Sequence, residues 1–404
     1  MTGGTKLRIL VTDGDNRSAL AATRSLGRAG YHVAVAHHHH PALASSSRYC
    51  RARIQTPDPQ KDPEAFCTAI VEAVRTHRLD AVMPMSDITT LTLARAMQDG
   101  LLDCRMCAPP LDKLEAAADK RTTLELAMQL GVPVPRSIVL EQHRDAERDL
   151  DLPYPLVIKP ARSRVWYKGK WLFNAVSYAR TPEELQATLR EFVPAQFPVL
   201  LQERIEGPGV GVFACYDRGR LVALFSHRRL REKPPSGGVS VLRESVPVDP
   251  AADAHAQALL GALAWHGPAM VEFKMDQRDN SLKLMEINGR LWGSLQLAID
   301  AGVDFPRLMA RIMAEDNVTP VLSYRIGVRT RWLWGDVDSI LALFLKSREE
   351  LNLPPDHPGR WRTLLDFLVP WSRGLRYEVL SLEDPRPWIY ESRHWLFPKR
   401  SKSH

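Results

Sequence analysis

The chain has 404 residues, 45% hydrophobic and 25% charged, a composition that folds and that excludes a disordered polymer. Five cysteines at irregular positions exclude a disulfide framework, and no apolar run approaches the ~18–20 residues that cross a bilayer. The formal net charge of +7 is spread along the chain, which suits anionic partners such as nucleotides, acidic substrates or acidic lipids and gives no basic block for nucleic acid.

Leu7 to Val11 reads as a buried strand of a mature domain rather than a secretory leader, so a cytoplasmic protein is expected. A polar turn, Thr12-Asp13-Gly14-Asp15, leads into a helix with Ala19, Ala22, Leu26 and Ala29 on one face, closed by Gly30. His32 to Ala36 is the next strand, Pro63 to His77 a helix through Phe66, Ile70 and Ala73, and Asp80 to Met83 a further strand. This alternation predicts a parallel sheet covered on both faces, with Asp13 to Asn16 and Ser86-Asp87 at its ligand-binding carboxyl edge. The unit is taken as residues 1–115.

A helix opens at Asp119-Lys120, turns Leu124, Ala127 and Met128 inward, and stops at Gly131. From Tyr154 to Asn288 strands and hairpins dominate, with helices from Pro182 and from Ala251 to Trp265, so residues 116–318 read as α+β. Residues 319–404 carry six of the ten tryptophans, many arginines, and prolines that break the helices around Leu341 and Leu365. They are expected to form a separate helical extension. Its Trp332, Trp334, Trp361, Trp371, Trp388 and Trp395 are assigned to packing on the body ahead of peripheral membrane contact.

The most informative stretch is Met270-Val-Glu-Phe-Lys-Met-Asp276, a polar turn at Asp279-Asn280, then Leu282-Lys-Leu-Met-Glu-Ile-Asn-Gly-Arg290. As a hairpin it pairs residue 272 with 286 and 274 with 284, placing Glu272, Glu286 and Asn288 on one face. A slip of one residue would part the glutamates, and on an exposed ribbon they would be solvated or salt-bridged to Lys274 or Lys283. Two carboxylates roughly 5 Å apart repel unless a positive charge lies between them, and a hard divalent cation such as Mg²⁺ accepts such oxygens. Arg290 lies just past the strand, in reach of a phosphoryl group. Lys159, ending the buried strand Pro155-Leu-Val-Ile-Lys-Pro160, needs an anion, and a phosphate would serve. Leu200-Leu-Gln-Glu-Arg-Ile-Glu-Gly207 offers backbone groups beside Ile205 to a flat heterocycle, and Gly238 in Ser236-Gly-Gly-Val-Ser240 offers N–H groups to an anion.

The order of these elements over residues 7 to 315 resembles the ATP-grasp superfamily of carboxylate–amine or carboxylate–thiol ligases, in the branch similar to the carbamoyl-phosphate synthase ATP-binding domains. The resemblance implies an ATP-grasp fold behind a Rossmann-like pre-ATP-grasp domain. It implies that Glu272, Glu286 and Asn288 hold Mg²⁺, with Mn²⁺ as a substitute, and that Arg290 meets the transferring phosphate. Lys120 and Lys159 would bind ATP phosphates from opposite sides, with Gln202, Glu203 and Ile205 at the adenine hinge. Two departures leave details open. Ala161-Arg-Ser-Arg-Val-Trp-Tyr-Lys168 replaces a glycine-rich phosphate loop, and Gly209-Val-Gly211 replaces a ribose-binding acid, with Glu206 as a substitute.

The expected function is an ATP- and Mg²⁺-dependent ligase that activates a carboxylate as an acyl phosphate for attack by an amine. A non-catalytic ATP-binding sensor or assembly module is the alternative. Partners are small-molecule carboxylates and amines, with a homo-oligomer open and nucleic acid not expected. His37 to His40 read as a solvated loop, Cys104 and Cys107 as two thiols without metal, and Asp13-Gly14-Asp15 as a turn lacking a dinucleotide fingerprint. Ser86 and Asp87 suit either a helix cap or the acceptor pocket. His227, Arg228, Arg229 and Arg231 are expected to include an anion contact.

Overall fold

The computed structural model describes residues 6–147, 150–235, 237–351, 353, 357–369 and 374–397. The first apolar strand, β1 (Arg8–Val11), is followed by α1 (Arg17–Arg28), β2 (His32–His37), β3 (Cys50–Gln55), α2 (Pro63–Thr76), β4 (Ala81–Met83), α3 (Asp87–Gln98), β5 (Arg105–Met106) and α4 (Leu111–Ala118). The strands form one parallel sheet in the order β3-β2-β1-β4-β5. Ile9, Leu10 and Val11 are fully buried because helices cover both faces. Asp62 caps α2 by accepting from the Ala65 N–H, and Ser86 with Thr89 forms a capping box at α3. The sequence reading lacks β3 and β5. The first is an edge strand that exposes Arg51 and Arg53, and the second has two residues. Position 115 lies inside α4, so a helix rather than a linker leads onward.

Next come α5 (Lys120–Gln129), β6 (Ser137–Leu140), β7 (Leu156–Pro160), β8 (Arg164–Tyr167), β9 (Lys170–Phe173), β10 (Ser177–Ala179), α6 (Pro182–Arg190) and β11 (Val199–Glu203). Four of these strands make an antiparallel sheet, β10-β7-β11-β6, while β8 and β9 form a separate hairpin. Then follow β12 (Gly209–Asp217), β13 (Arg220–Phe225), β14 (His227–Lys233), β15 (Val239–Ser245), α7 (Pro250–Ala262), β16 (Gly267–Met275), β17 (Leu282–Asn288), α8 (Leu295–Ala301) and α9 (Phe305–Met313). Another antiparallel sheet runs β13-β12-β16-β17. Met128 does not point inward as expected; it is 61% exposed on α5. Helix α7 stops short of Trp265 because Ala264 turns left-handed at φ 46, which drops the Trp265 ring into the core.

The last part contains β18 (Arg329–Arg331), α10 (Leu333–Leu345), α11 (Arg360–Phe367), β19 (Leu375–Tyr377) and α12 (Arg386–Leu396). It is neither separate nor wholly helical, since β18 and β19 complete the sheet β14-β15-β18-β19. Trp334 stacks on Trp395 at 4.1 Å, and Trp332 donates to Glu391 at 2.8 Å. Trp361 is 64% exposed on α11, and Trp371 lies outside the described residues. Among the described residues no helix is long and apolar enough to cross a membrane.

A buried ion pair ties this part to the N-terminal sheet. Arg24 donates to the Asp384 carboxylate at 2.9 Å and to the Glu378, Val379 and Asp384 carbonyls, while Asp384 also accepts from Ser47 Oγ and the Arg48 N–H. Breaking such a pair strands a charge away from water. Asp384→Ala is therefore expected to cost about 3–5 kcal/mol, measured as a lowered denaturant midpoint.

Candidate active site

Strands β16 and β17 pair Glu272 directly with Glu286, and Met270 with Asn288. The expected partner of residue 274 is corrected: a bulge at Met285 makes Phe273 face Leu284 and Lys274 face Lys283. The bulge keeps the glutamates opposed and turns Met285 towards the facing sheet, where its sulfur lies 4.0 Å from Lys159 Nζ. Asn288 Nδ2 donates to Glu286 at 2.8 Å. Burial, with Glu286 alongside, pushes the Glu272 carboxyl up to about 7, against the pull of Arg229. This oxygen-only donor set on rigid strands, carrying a like-charge pair, fits a hard divalent cation, Mg²⁺ or Mn²⁺.

Sequence reasoning named the residue that offsets part of this charge only as one of a basic run, without assigning it to the acidic pair. Arg229 on β14 bonds Glu272 and also Glu232, the latter at 3.1 Å. Its signal was the basic run in β14, but a run does not say which arginine faces the site. Arg228 instead pairs with Glu244, and Arg231 with Asp336. His227 is buried, bonded to Ser294 Oγ at 2.8 Å and stacked on Phe213 at 4.7 Å. Burial pushes its imidazole down to about 3, so it is a neutral core residue. As pH falls from 6.5 towards 3 the unfolded chain binds a proton that the folded protein refuses, so stability declines. His227→Gln is expected to flatten that part of the pH–stability profile, read by denaturant titration.

Two lysines approach the acidic pair. Lys120 is the first residue of α5, placed there by Asp119, which caps the helix, and its Nζ donates to Ser163 Oγ at 2.7 Å. Burial lowers the ammonium pKa of Lys120, with Glu286 acting in opposition. Lys159 on β7 has no carboxylate within ion-pair distance among the described residues, and its Nζ meets Met285 Sδ. Burial, reinforced by Lys120, brings it down to about 8. After Lys159 the chain forms the β8–β9 hairpin in place of a glycine-rich loop. Arg162 pairs with Asp119 at 3.1 Å, and Trp171 Nε1 reaches the Pro59 carbonyl at 3.2 Å.

Beyond β11, the chain turns through Arg204, Ile205 and Glu206. Glu203 is buried and accepts from the Arg136 N–H at 2.9 Å and from Arg278 at 2.8 Å, and Gln202 donates to Ser137 Oγ. These two side chains brace the turn. Ile205 is buried, with its carbonyl taking a hydrogen bond from Lys274 Nζ at 3.0 Å, and Glu206 is exposed beside it. Gly238 forms no hydrogen bond with the site among the described residues. A Cβ there would meet the Lys233 carbonyl at 2.5 Å, so packing accounts for the glycine; Ser236 lies outside the described residues.

Arg290 donates to Asp87 at 2.8 Å and approaches Asn288 Oδ1 at 3.4 Å. It opens onto a cleft of about 530 Å³ between the N-terminal sheet edge and the C-terminal extension. Ser86 caps α3 and Asp87 is its first residue, and both line this cleft, with Arg164 of β8 3.7 Å from Asp87. Trp332, Tyr390, Glu391 and His394 form the far wall. Asp15 lines it too. His38 and His39 are exposed, in keeping with a solvated loop, but His37 and His39 also gather at Asp15 Oδ2 at 3.3 and 3.0 Å, with His38 packed against both. Asp13 bonds Ser86 and Thr89, so its turn braces the sheet edge. Cys104 and Cys107 are free thiols.

A family model described as "ATP-grasp in the biosynthetic pathway with Ter operon" matches residues 196–334, about a third of the chain. Among curated proteins none matches. Among solved structures, the chain is similar to L-amino acid ligase from Bacillus licheniformis at 17% identity and TM-score 0.60, over 79% of each chain. It is similar to N5-carboxyaminoimidazole ribonucleotide synthetase from Thermus thermophilus at 18% identity and TM-score 0.59, over 80% of this chain and 81% of that one. The biotin carboxylase domain of Hydrogenobacter thermophilus 2-oxoglutarate carboxylase gives 15% identity and TM-score 0.62, over 81% and 74%. Two facing antiparallel sheets behind a parallel α/β sheet, with the acidic hairpin on one and Lys159 on the other, are the ATP-grasp fold, which this chain shares with those structures and whose family model its residues 196–334 match.

Proposed function

We propose that the protein is an ATP-dependent ligase that activates a substrate carboxylate as an acyl phosphate, which an amine then attacks. The observation that carries this is the opposition of Glu272, Glu286 and Asn288 on one sheet to Lys159, a partly buried ammonium with no ion pair among the described residues, on the other. A polyphosphate with its cation satisfies both sides. The Hydrogenobacter neighbour was solved with MgADP and bicarbonate, which supports this reading.

Glu272, Glu286 and Asn288 would hold Mg²⁺, which when bound neutralises phosphate charge. Lys120 and Lys159 would lie along the phosphates from α5 and β7, and the Ile205 turn would take the base. Arg290 would orient the carboxylate as it takes the γ-phosphoryl group and ADP leaves. The amine nitrogen then attacks the acyl carbon, the C–O bond to phosphate breaks, phosphate departs with its electron pair, and nitrogen sheds a proton. Positioning and charge neutralisation supply the rate, with no covalent enzyme intermediate.

The test incubates the protein with ATP, Mg²⁺, pooled carboxylates and hydroxylamine, a small neutral trap for acyl phosphates. Carboxylate-dependent ADP and hydroxamate are expected. Nucleotide binding without either product would instead establish the passive ATP-binding module.

A further inference from the structure

The far wall of the cleft is built by residues that the acid-and-lysine chemistry does not use. Tyr390, Glu391 and His394 lie on α12, beyond the stretch that the family model matches. Tyr390 donates to Asp15 at 3.1 Å and its carbonyl holds His394 Nδ1 at 2.8 Å, so the two flank Glu391 in fixed positions. Every other carboxylate named in the cleft already has a basic partner: Asp15 has His37 and His39, and Asp87 has Arg290 and Arg164. Glu391 differs. One oxygen accepts from Trp332 Nε1 at 2.8 Å, while the other is buried with no hydrogen-bond partner among the described residues; Arg17, the nearby cation, is itself paired with Glu378.

A buried carboxylate oxygen left unpaired is destabilising, and it is satisfied best by a donor carrying positive charge. The cleft is large enough for a small molecule, and Arg290 and Arg164 make its opposite side basic. Burial holds the Glu391 carboxyl up at about 7, and a cation placed beside it would favour its charged form.

We propose that Glu391 is a specificity-determining residue, accepting a hydrogen bond from the ammonium or amine of the acceptor substrate, so that the C-terminal extension selects amine-bearing acceptors. This rests on reading the cleft as the acceptor site of the ligase. Tyr390 and His394 would limit the size of the group beside that nitrogen, and Trp332 would hold the carboxylate in place.

The test compares matched probes that differ in amine against hydroxyl: ethanolamine with ethylene glycol, and glycinamide with glycolamide. Dissociation constants are read from tryptophan fluorescence with Mg²⁺ and a non-hydrolysable ATP analogue present. In at least one pair the amine is expected to bind about tenfold tighter, and Glu391→Gln to bring the pair within about twofold with nucleotide affinity unchanged. Equal binding of both members of both pairs, or a preference that survives in Glu391→Gln, would overturn the proposal. If Glu391→Gln melts early, Glu391→Asp decides, because a withdrawn carboxylate must weaken the preference and an unchanged preference refutes it. Amine preference without hydroxamate formation would sink the ligase reading alone, and hydroxamate formation without amine preference would sink this inference alone.

Discussion

Glu286→Ala is expected to lower carboxylate-dependent ADP release by roughly 10²-fold or more, the scale on which preorganised charge acts in a water-poor site. Glu286 is the hub of the acidic hairpin: it faces Glu272, takes the Asn288 amide, and lies near enough to Lys120 and Lys159 to raise the pKa of each. Removing it takes one oxygen donor from the cation and leaves both lysines less balanced. The fold should not suffer, because the substitution also relieves the repulsion that helps hold Glu272 up at about 7. Expected readings are a melting temperature equal to or above wild type, and nucleotide affinity that no longer depends on Mg²⁺. A collapsed melting temperature would instead make Glu286 a structural residue.

Lys159→Met is expected to cut nucleotide affinity and turnover while making the protein more stable. The cause is the same in both directions. An ammonium largely withdrawn from water, with Lys120 nearby and no ion pair among the described residues, destabilises the folded chain, and a methionine of similar length fills the space without charge. Some solvent access reduces the penalty, so a gain on the order of 1–3 kcal/mol is expected. The sign with pH follows from a pKa of about 8 folded against 10.5 unfolded. Below about 8 both states are protonated and the penalty is complete; between about 8 and 10.5 the folded state sheds its proton first, so wild-type stability rises with pH. The advantage of Lys159→Met should shrink across that window, as measured by denaturant titration at successive pH values. A variant less stable than wild type at pH 7 would mean that Lys159 has a partner in the free protein.

The legible parts of this protein are those set by local chemistry. The opposition of Glu272 to Glu286 follows from hairpin alternation, and the start of α5 at Lys120 follows from the capping carboxylate of Asp119. What stayed hidden depends on contacts between distant segments. The bulge at Met285 changes the register without leaving a glycine or proline to announce it. Arg229 is singled out from its neighbours only by the twist and bulges of β14 against β15. The expected independence of the extension failed because β18 and β19 are three residues each, too short to produce a periodic pattern, and their partners lie far back in the chain. The cleft wall at Glu391 was invisible for a related reason, since a glutamate on an amphipathic helix reads as solvated until another segment covers it.

The most direct measurement is a crystal structure with Mn²⁺ and a non-hydrolysable ATP analogue, using anomalous scattering to find the ion. The expected result is an anomalous peak at bonding distance from carboxylate oxygens of both Glu272 and Glu286, with the analogue's phosphates between it and Lys159. A nucleotide bound elsewhere, or an ion that leaves these two glutamates untouched, would contradict the account.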